Sequence, residues 1–211
     1  MPLATEFFDR TPDAVARDLL GKVLLSRAEG VVTGGRIVEA EAYLGSGDEG
    51  SHAATRGVTK RNAVMYGPPG TVYVYFTYGN HHMLNLVCDA EGTAGAVLVR
   101  ALEPLAGVET MAQRRGGRRA AHGIASGPGR LAQALGADLA DNGTTLHVGR
   151  LAVFDAPAPP ERVVSTGRIG LSRGHEAELR YLLEGDAFVS RASPGARTAK
   201  RRRTQGTGDP R

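Results

Sequence analysis

Short apolar runs with polar residues between them dominate this chain, and helical punctuation appears at only three places. The clearest helix should span about Pro12 to Leu20. Thr11 can cap it, Pro12 suits the first helical position, Asp13 complements the helix dipole, and Leu19-Leu20-Gly21 supplies an apolar end and a stop. From Lys22 the pattern turns to strands. KVLLSR (22–27) and RIVEAEAYL (36–44) read as a hairpin about a Gly34-Gly35 turn. Thr71 to Tyr78, rich in aromatic and β-branched residues, reads as a strand that turns at Gly79-Asn80 and returns along His82 to Val87. GAVLVRAL (95–102) is another strand. Further helices are predicted over Leu105 to Arg115 and over Gly129 to Leu135, the second closed by Gly136. Beyond them short strands alternate with turns, among them Arg180 to Leu183 and Ala187 to Val189 around Gly185-Asp186.

With 211 residues, 41% of them hydrophobic, the chain can bury one sizeable core. No internal repeat or midpoint linker divides it, so residues 1–193 are expected to form one domain and the polar residues 194–211 a disordered basic tail. No run approaches the roughly 18 apolar residues of a membrane span, and MPLATEFFDR lacks the basic start and apolar stretch of a secretion signal. A cytoplasmic address follows. The single Cys88 cannot form an intramolecular disulfide, and six scattered histidines show no ligand spacing, so neither a metal nor any other cofactor is expected.

The net charge of +4 is unevenly placed: residues 1–105 hold 9 basic and 12 acidic side chains, residues 106–211 hold 17 and 10. Arg197 to Arg211 contributes six bases against Asp209, so the remainder sums to −1. Net charge alone therefore makes no case for nucleic acid. A second cluster, Arg114, Arg115, Arg118 and Arg119, reads either as a phosphate contact or as a solvated loop.

Candidate chemistry concentrates in two strands. Along 36–44, Val38, Ala40, Ala42 and Leu44 share one face, while Ile37, Glu39, Glu41 and Tyr43 share the other. Two carboxylates on a solvated face would be unremarkable, but Ile37 and Tyr43 do not belong on a wet surface. Tyr73, Tyr75 and Tyr78 lie within six residues of a chain that has six tyrosines and no tryptophan. Tyr78, at the hairpin tip, has the placement of a wedge inserted between stacked bases. Arg100 interrupts the apolar AVLVRAL and requires a partner, either a structural carboxylate or Glu41 in a pocket. Gly45-Ser-Gly-Asp-Glu-Gly50 fits a dinucleotide fingerprint, but its two acids would face a pyrophosphate and no helical period follows. Gly67-Pro-Pro-Gly-Thr71 lacks the Gly-Lys-Ser/Thr of a nucleoside triphosphate loop.

The segments RIVEAEAY (36–43), Asp48…His52…Arg56-Gly57, Arg61-Asn62, MYGPPG (65–70), Tyr73-Val-Tyr…Tyr78-Gly79, Asn85 and RALEP (100–104) together resemble the alkyladenine (3-methyladenine) DNA glycosylase family. The likeness runs from Glu6-Phe-Phe through Ser126-Gly-Pro and Arg168-Ile-Gly to Val189-Ser190. It implies a mixed α+β domain around a curved antiparallel sheet with surrounding helices. It also implies an enzyme that flips an alkylated or deaminated purine, hypoxanthine included, from duplex DNA and hydrolyses the N-glycosidic bond to leave an abasic site. By this resemblance Glu41 corresponds to the general base and Arg100 to the residue that holds the water with it. Tyr43 corresponds to one wall of the base pocket, His52 and Tyr75 to the other. Tyr78 matches the residue that fills the gap left by the flipped nucleotide, and Asn85 the one that obstructs the amine of normal guanine. The Ile169 carbonyl corresponds to a further water contact. The implied partner is damaged double-stranded DNA, met by a monomer with no membrane involved, near the nucleoid if the source is bacterial. The hairpin tip Asn80-His-His-Met departs from the family's more aromatic or apolar residues, as does the basic tail.

Chemistry agrees with that assignment, because a purine alkylated at N3 or N7 is already cationic and leaves readily, so one carboxylate suffices. Stacking between Tyr43 and Tyr75 would favour cationic bases by about 1 to 2 kcal/mol. The alternatives are a non-catalytic nucleic-acid-binding module, which gives no reason for Glu41, and a glycosylase with lyase activity. The latter needs an amine nucleophile, for which only Lys22, Lys60 and Lys200 are available.

Overall fold

The computed structural model describes residues 1–51, 53, 57–77, 79–117 and 121–191. The expected His52 and Tyr78 positions, Arg118 and Arg119, and the tail lie outside the described residues.

Helix α1 (Thr5–Phe8) and helix α2 (Pro12–Asp18), with Pro12 at its first turn as expected, lead into strand β1 (Val23–Ser26). Two 11-residue strands, β2 (Thr33–Tyr43) and β5 (Ala96–Ala106), pair antiparallel as the spine of an eight-stranded sheet. The far edge of β5 takes β4 (His81–Val87), which forms a hairpin with β3 (Val72–Thr77). The opposite edge of β2 is divided. Residues 33–36 pair with β1, and Glu39 to Glu41 pair with β8 (Arg180–Leu183). Strand β6 (Leu151–Phe154) continues beyond β1, and β7 (Val163–Thr166) beyond β8. One strand thus carries two successive neighbours, with a register shift between Ile37 and Glu39, and the sheet curls at that point.

Helix α2 with Leu19 at its C-terminal cap, and helix α4 (Pro128–Leu135), bury Val15, Leu19, Leu131 and Leu135 in the main apolar core with Val38, Ala40, Leu84, Leu86 and Val99. Helix α3 (Val108–Arg114) packs beside α4. The expected mixed α+β fold around a curved antiparallel sheet is what the chain adopts. No helix among the described residues is long and apolar enough to cross a membrane.

Four local expectations are corrected. The β1–β2 turn lies at Ala28 to Gly30, where Glu29 and Gly30 take φ of 56° and 74°. Gly34 and Gly35 sit inside β2 because any Cβ there would collide with the carbonyl oxygens of Leu24 and Glu103. That close approach lets β5 run on to Ala106, so α3 begins at Val108 and not at Leu105. Residues 187–189 form no strand; after Gly185 (φ 80°) the chain turns and brings Ser190 to Glu39. Nor does strict alternation hold along β2. Ile37, expected beside the glutamates, belongs to the apolar core, and Leu44 falls past the strand end and is 38% exposed.

Candidate active site

Strand β2 carries Glu39 and Glu41, both fully buried, and β5 brings Arg100 between them. Arg100 Nε donates to Glu39 Oε1 at 2.9 Å, while its Nη1 lies 3.1 Å from Glu41 Oε2. Arg100 therefore serves both carboxylates, the structural partner and the pocket partner at once. Burial acts to lower the Arg100 pKa, but the charges of Glu41 and Glu39 outweigh it and hold the guanidinium above its ordinary value.

The two glutamates differ in what else surrounds them. Glu39 Oε1 also accepts from Arg180 Nε at 2.6 Å and from the Ser190 hydroxyl at 2.9 Å, and Oε2 accepts the Ser190 amide at 2.7 Å. Four donors therefore meet Glu39, three of them on Oε1 and one on Oε2. Burial would raise the Glu39 pKa, but Arg100 and Arg180 reverse that and hold it below the ordinary carboxylate value. Glu41 Oε1 accepts the Ile169 amide at 2.8 Å, and Oε2 accepts the Tyr43 hydroxyl at 3.0 Å beside Arg100. Among the described residues three donors meet Glu41, one on Oε1 and two on Oε2. Burial, then the Glu41 charge, push the Tyr43 phenol well above its usual pKa, so it remains a neutral donor.

Beside this pair lies a cavity of about 200 Å³ lined by Tyr43, Tyr73, Tyr75, Met83, Asn85, Leu98, Arg100, Pro128 and Ile169, among others. Glu41 sits behind that lining, bonded to three of its members. The sheet register explains the gathering: β3 sets Tyr73 opposite Asn85 of β4, and Asn85 is opposite Leu98 of β5, itself opposite Glu41. Asn85 is nearly fully buried, its Nδ2 spent on the Tyr73 and Met83 carbonyls at 3.1 and 3.2 Å. Of the residues singled out from the sequence, Glu41, Arg100, Tyr43, Tyr75, Asn85 and Ile169 are thus brought together. At Ile169 it is the amide that touches Glu41, where the resemblance pointed to the carbonyl.

Several residues of the site were not anticipated. Arg168, fully buried, donates through Nη1 to the Ala42 carbonyl at 2.8 Å and to Asp48 Oδ2 at 2.7 Å, and its Nη2 meets Asp48 Oδ1. Asp48 in turn accepts the Leu44 and Gly50 amides at 3.0 Å each. The glycine-rich 45–50 segment is therefore an anchor for the end of β2. Burial raises the Asp48 pKa, yet the bonds and charge of Arg168 bring it below its usual value. Arg168 and Ser190 fall within segments of the family resemblance, Arg168-Ile-Gly and Val189-Ser190, but nothing in the sequence pattern assigned them a role. Arg180 could have been found by the argument applied to Arg100, since it too opens a buried apolar strand. Arg114 and Arg115, considered as phosphate contacts, bond instead to backbone carbonyls, Arg114 to Ala28 and Ala134, Arg115 to Ile124.

Comparison with known proteins follows the same lines. A family model described as methylpurine-DNA glycosylase matches residues 6–187. Relatives named "Putative 3-methyladenine DNA glycosylase" include one from Chlorobaculum parvum, 46% identical over 95% of this chain and 96% of its own length. One from Koribacter versatilis is 49% identical over 90% and 93%, and one from Methanoculleus marisnigri 48% over 90% and 100%.

Proposed function

The chain belongs to the methylpurine-DNA glycosylase family, hydrolases of N-glycosyl bonds, and from that premise we propose that it flips an alkylated or deaminated purine into the cavity beside Glu41 and releases it. The observation that carries this reading is the contrast on β2: four donors meet Glu39, whereas among the described residues three meet Glu41, all from residues that line an aromatic cavity, and Oε1 has one of them. A water bonded there gives its proton to Glu41 as its oxygen attacks C1′. The electron pair of the breaking C1′–N bond goes to the departing base, neutralising it if it is alkylated at N3 or N7. The products are free base and an abasic site. Arg100, Tyr43 and the Ile169 amide hold the carboxylate in one orientation, which limits the reorganisation needed in the transition state.

In this reading Tyr43 and Tyr75 sandwich the base together with His52, Tyr78 fills the vacated stack, and Asn85 obstructs the amine of normal guanine. A lyase step has less support. Lys22 is committed to Asp155 at 2.6 Å and to the Ala156 carbonyl, and neither it nor Lys60 lines the cavity. The test is incubation with a duplex holding one 3-methyladenine analogue or hypoxanthine, followed by gel analysis with and without alkali. Strand breaks that require alkali are expected. Cleavage without alkali would favour the lyase, and intact DNA in both arms would favour a binding module.

A further inference from the structure

Each aromatic wall of the cavity has a guanidinium on it. Arg168 Cζ lies 4.8 Å from the centroid of Tyr43, and Arg61 Cζ 4.8 Å from that of Tyr75. Neither arginine is among the residues that line the cavity. Their charges are not equivalent. Arg168 is neutralised by its two-pronged pairing with Asp48. Arg61 is exposed, donates to the Phe76 carbonyl at 3.4 Å, and among the described residues has no carboxylate within ion-pairing distance. Its charge reaches the pocket floor as well: burial pushes the Tyr73 phenol up, and Arg61 opposes that. Among the described residues, Arg100, Arg180 and Arg168 are paired with Glu39, Glu41 and Asp48, whereas Arg61 has no carboxylate partner.

A ring already facing one cation attracts a second across its other face less, whereas stacking of a neutral, electron-rich base on it is reinforced. A cationic base stacked on the opposite face of Tyr75 would also lie roughly 8 Å from Arg61, within one Debye length. We infer that Arg61 is a specificity-determining residue that turns the Tyr75 wall away from cationic N-alkylated purines and towards neutral lesions such as hypoxanthine. This reverses at one wall the preference expected from two bare tyrosines, and it rests on the cavity being the base pocket.

The test is single-turnover excision of 7-methylguanine (cationic) and of hypoxanthine (neutral) from one duplex sequence by wild type, Arg61→Gln and Arg61→Lys, with melting temperatures as a fold control. Arg61→Gln should raise the 7-methylguanine to hypoxanthine rate ratio about two- to fivefold, the equivalent of an exposed cation–π contact. Arg61→Lys, which keeps the charge, should stay nearer wild type. Equal loss on both lesions would overturn the inference and make Arg61 a contact to the DNA backbone; a fall in the ratio would overturn it too. Repeating the comparison as duplex binding in a Glu41→Gln background separates the two readings. A shifted binding ratio without excision by wild type would retain the tuning and reject the catalysis, and an unshifted one with normal excision would do the reverse.

Discussion

Glu39 and Glu41 are two residues apart on one strand, equally buried, and share Arg100, yet they stand in different chemical situations. Around Glu39, elements from distant parts of the chain converge: Arg100 from β5, Arg180 from β8, and Ser190 from the segment that follows. Around Glu41 the donors are a neighbour on its own strand, the Ile169 amide and one edge of Arg100, all three from residues that line the cavity. Burial by itself does not mark a reactive carboxylate. A buried charge must be compensated, and the degree of compensation separates a structural group from one that can take a proton.

The contrast can be broken most forcefully at Glu39. Glu39→Gln leaves Arg180 buried without its carboxylate and should cost about 3 to 5 kcal/mol of stability, read by denaturant unfolding. Because the folded-state pKa of Glu39 lies below its ordinary 4.5, its contribution is present above that value and is lost as pH falls through the lowered one. The wild-type melting temperature should accordingly drop steeply on acidification below about pH 4, and the Glu39→Gln protein should show a weaker drop. Asp48→Asn, which strips Arg168 of its partner, should cost about 3 kcal/mol, with excision reduced because the Tyr43 wall loses its backing.

Smaller changes sharpen the Glu41 side. Tyr43→Phe keeps the ring but removes one donor to the carboxylate, and the single-turnover rate should fall about tenfold at nearly unchanged melting temperature. An unaltered rate would show that this bond does not orient the base. Asn85→Ala should have the mildest effect on hypoxanthine, about threefold or less, while excision of guanine-type lesions relative to hypoxanthine rises by a similar factor. If the relative rate holds constant, Asn85 is not the discriminating group.

Much of the frame was legible in the sequence. Helix α2 follows from Pro12-Asp13, although the Thr11 side chain makes no capping bond and the helix ends at Asp18, not Leu20; β8 coincides with its expected span, and the β3–β4 hairpin follows from its aromatic and β-branched pattern. The errors have a common physical origin. Gly34 and Gly35 carry the mark of a turn, but they serve as places where neighbouring backbones approach too closely for a side chain, which local pattern cannot distinguish. The interrupting Arg100 announced a buried ion pair, but period-two alternation assigned both glutamates to one face and could not tell which would draw more donors. That depends on Arg180, Ser190 and Ile169, which lie 128 to 151 positions from their glutamates and come near only through the curl of the sheet.

The central claim, that Glu41 and not Glu39 is the proton acceptor, is measured most directly by pairing excision with stability in two substitutions. Single-turnover excision from a hypoxanthine duplex, duplex binding and melting temperature are to be recorded for Glu41→Gln and Glu39→Gln. The account predicts that Glu41→Gln keeps its melting temperature and binds damaged duplex, but loses excision by about 10²- to 10⁴-fold. It predicts that Glu39→Gln loses stability and, where still folded at low temperature, retains more excision than Glu41→Gln. Excision by Glu41→Gln within a few-fold of wild type would contradict it.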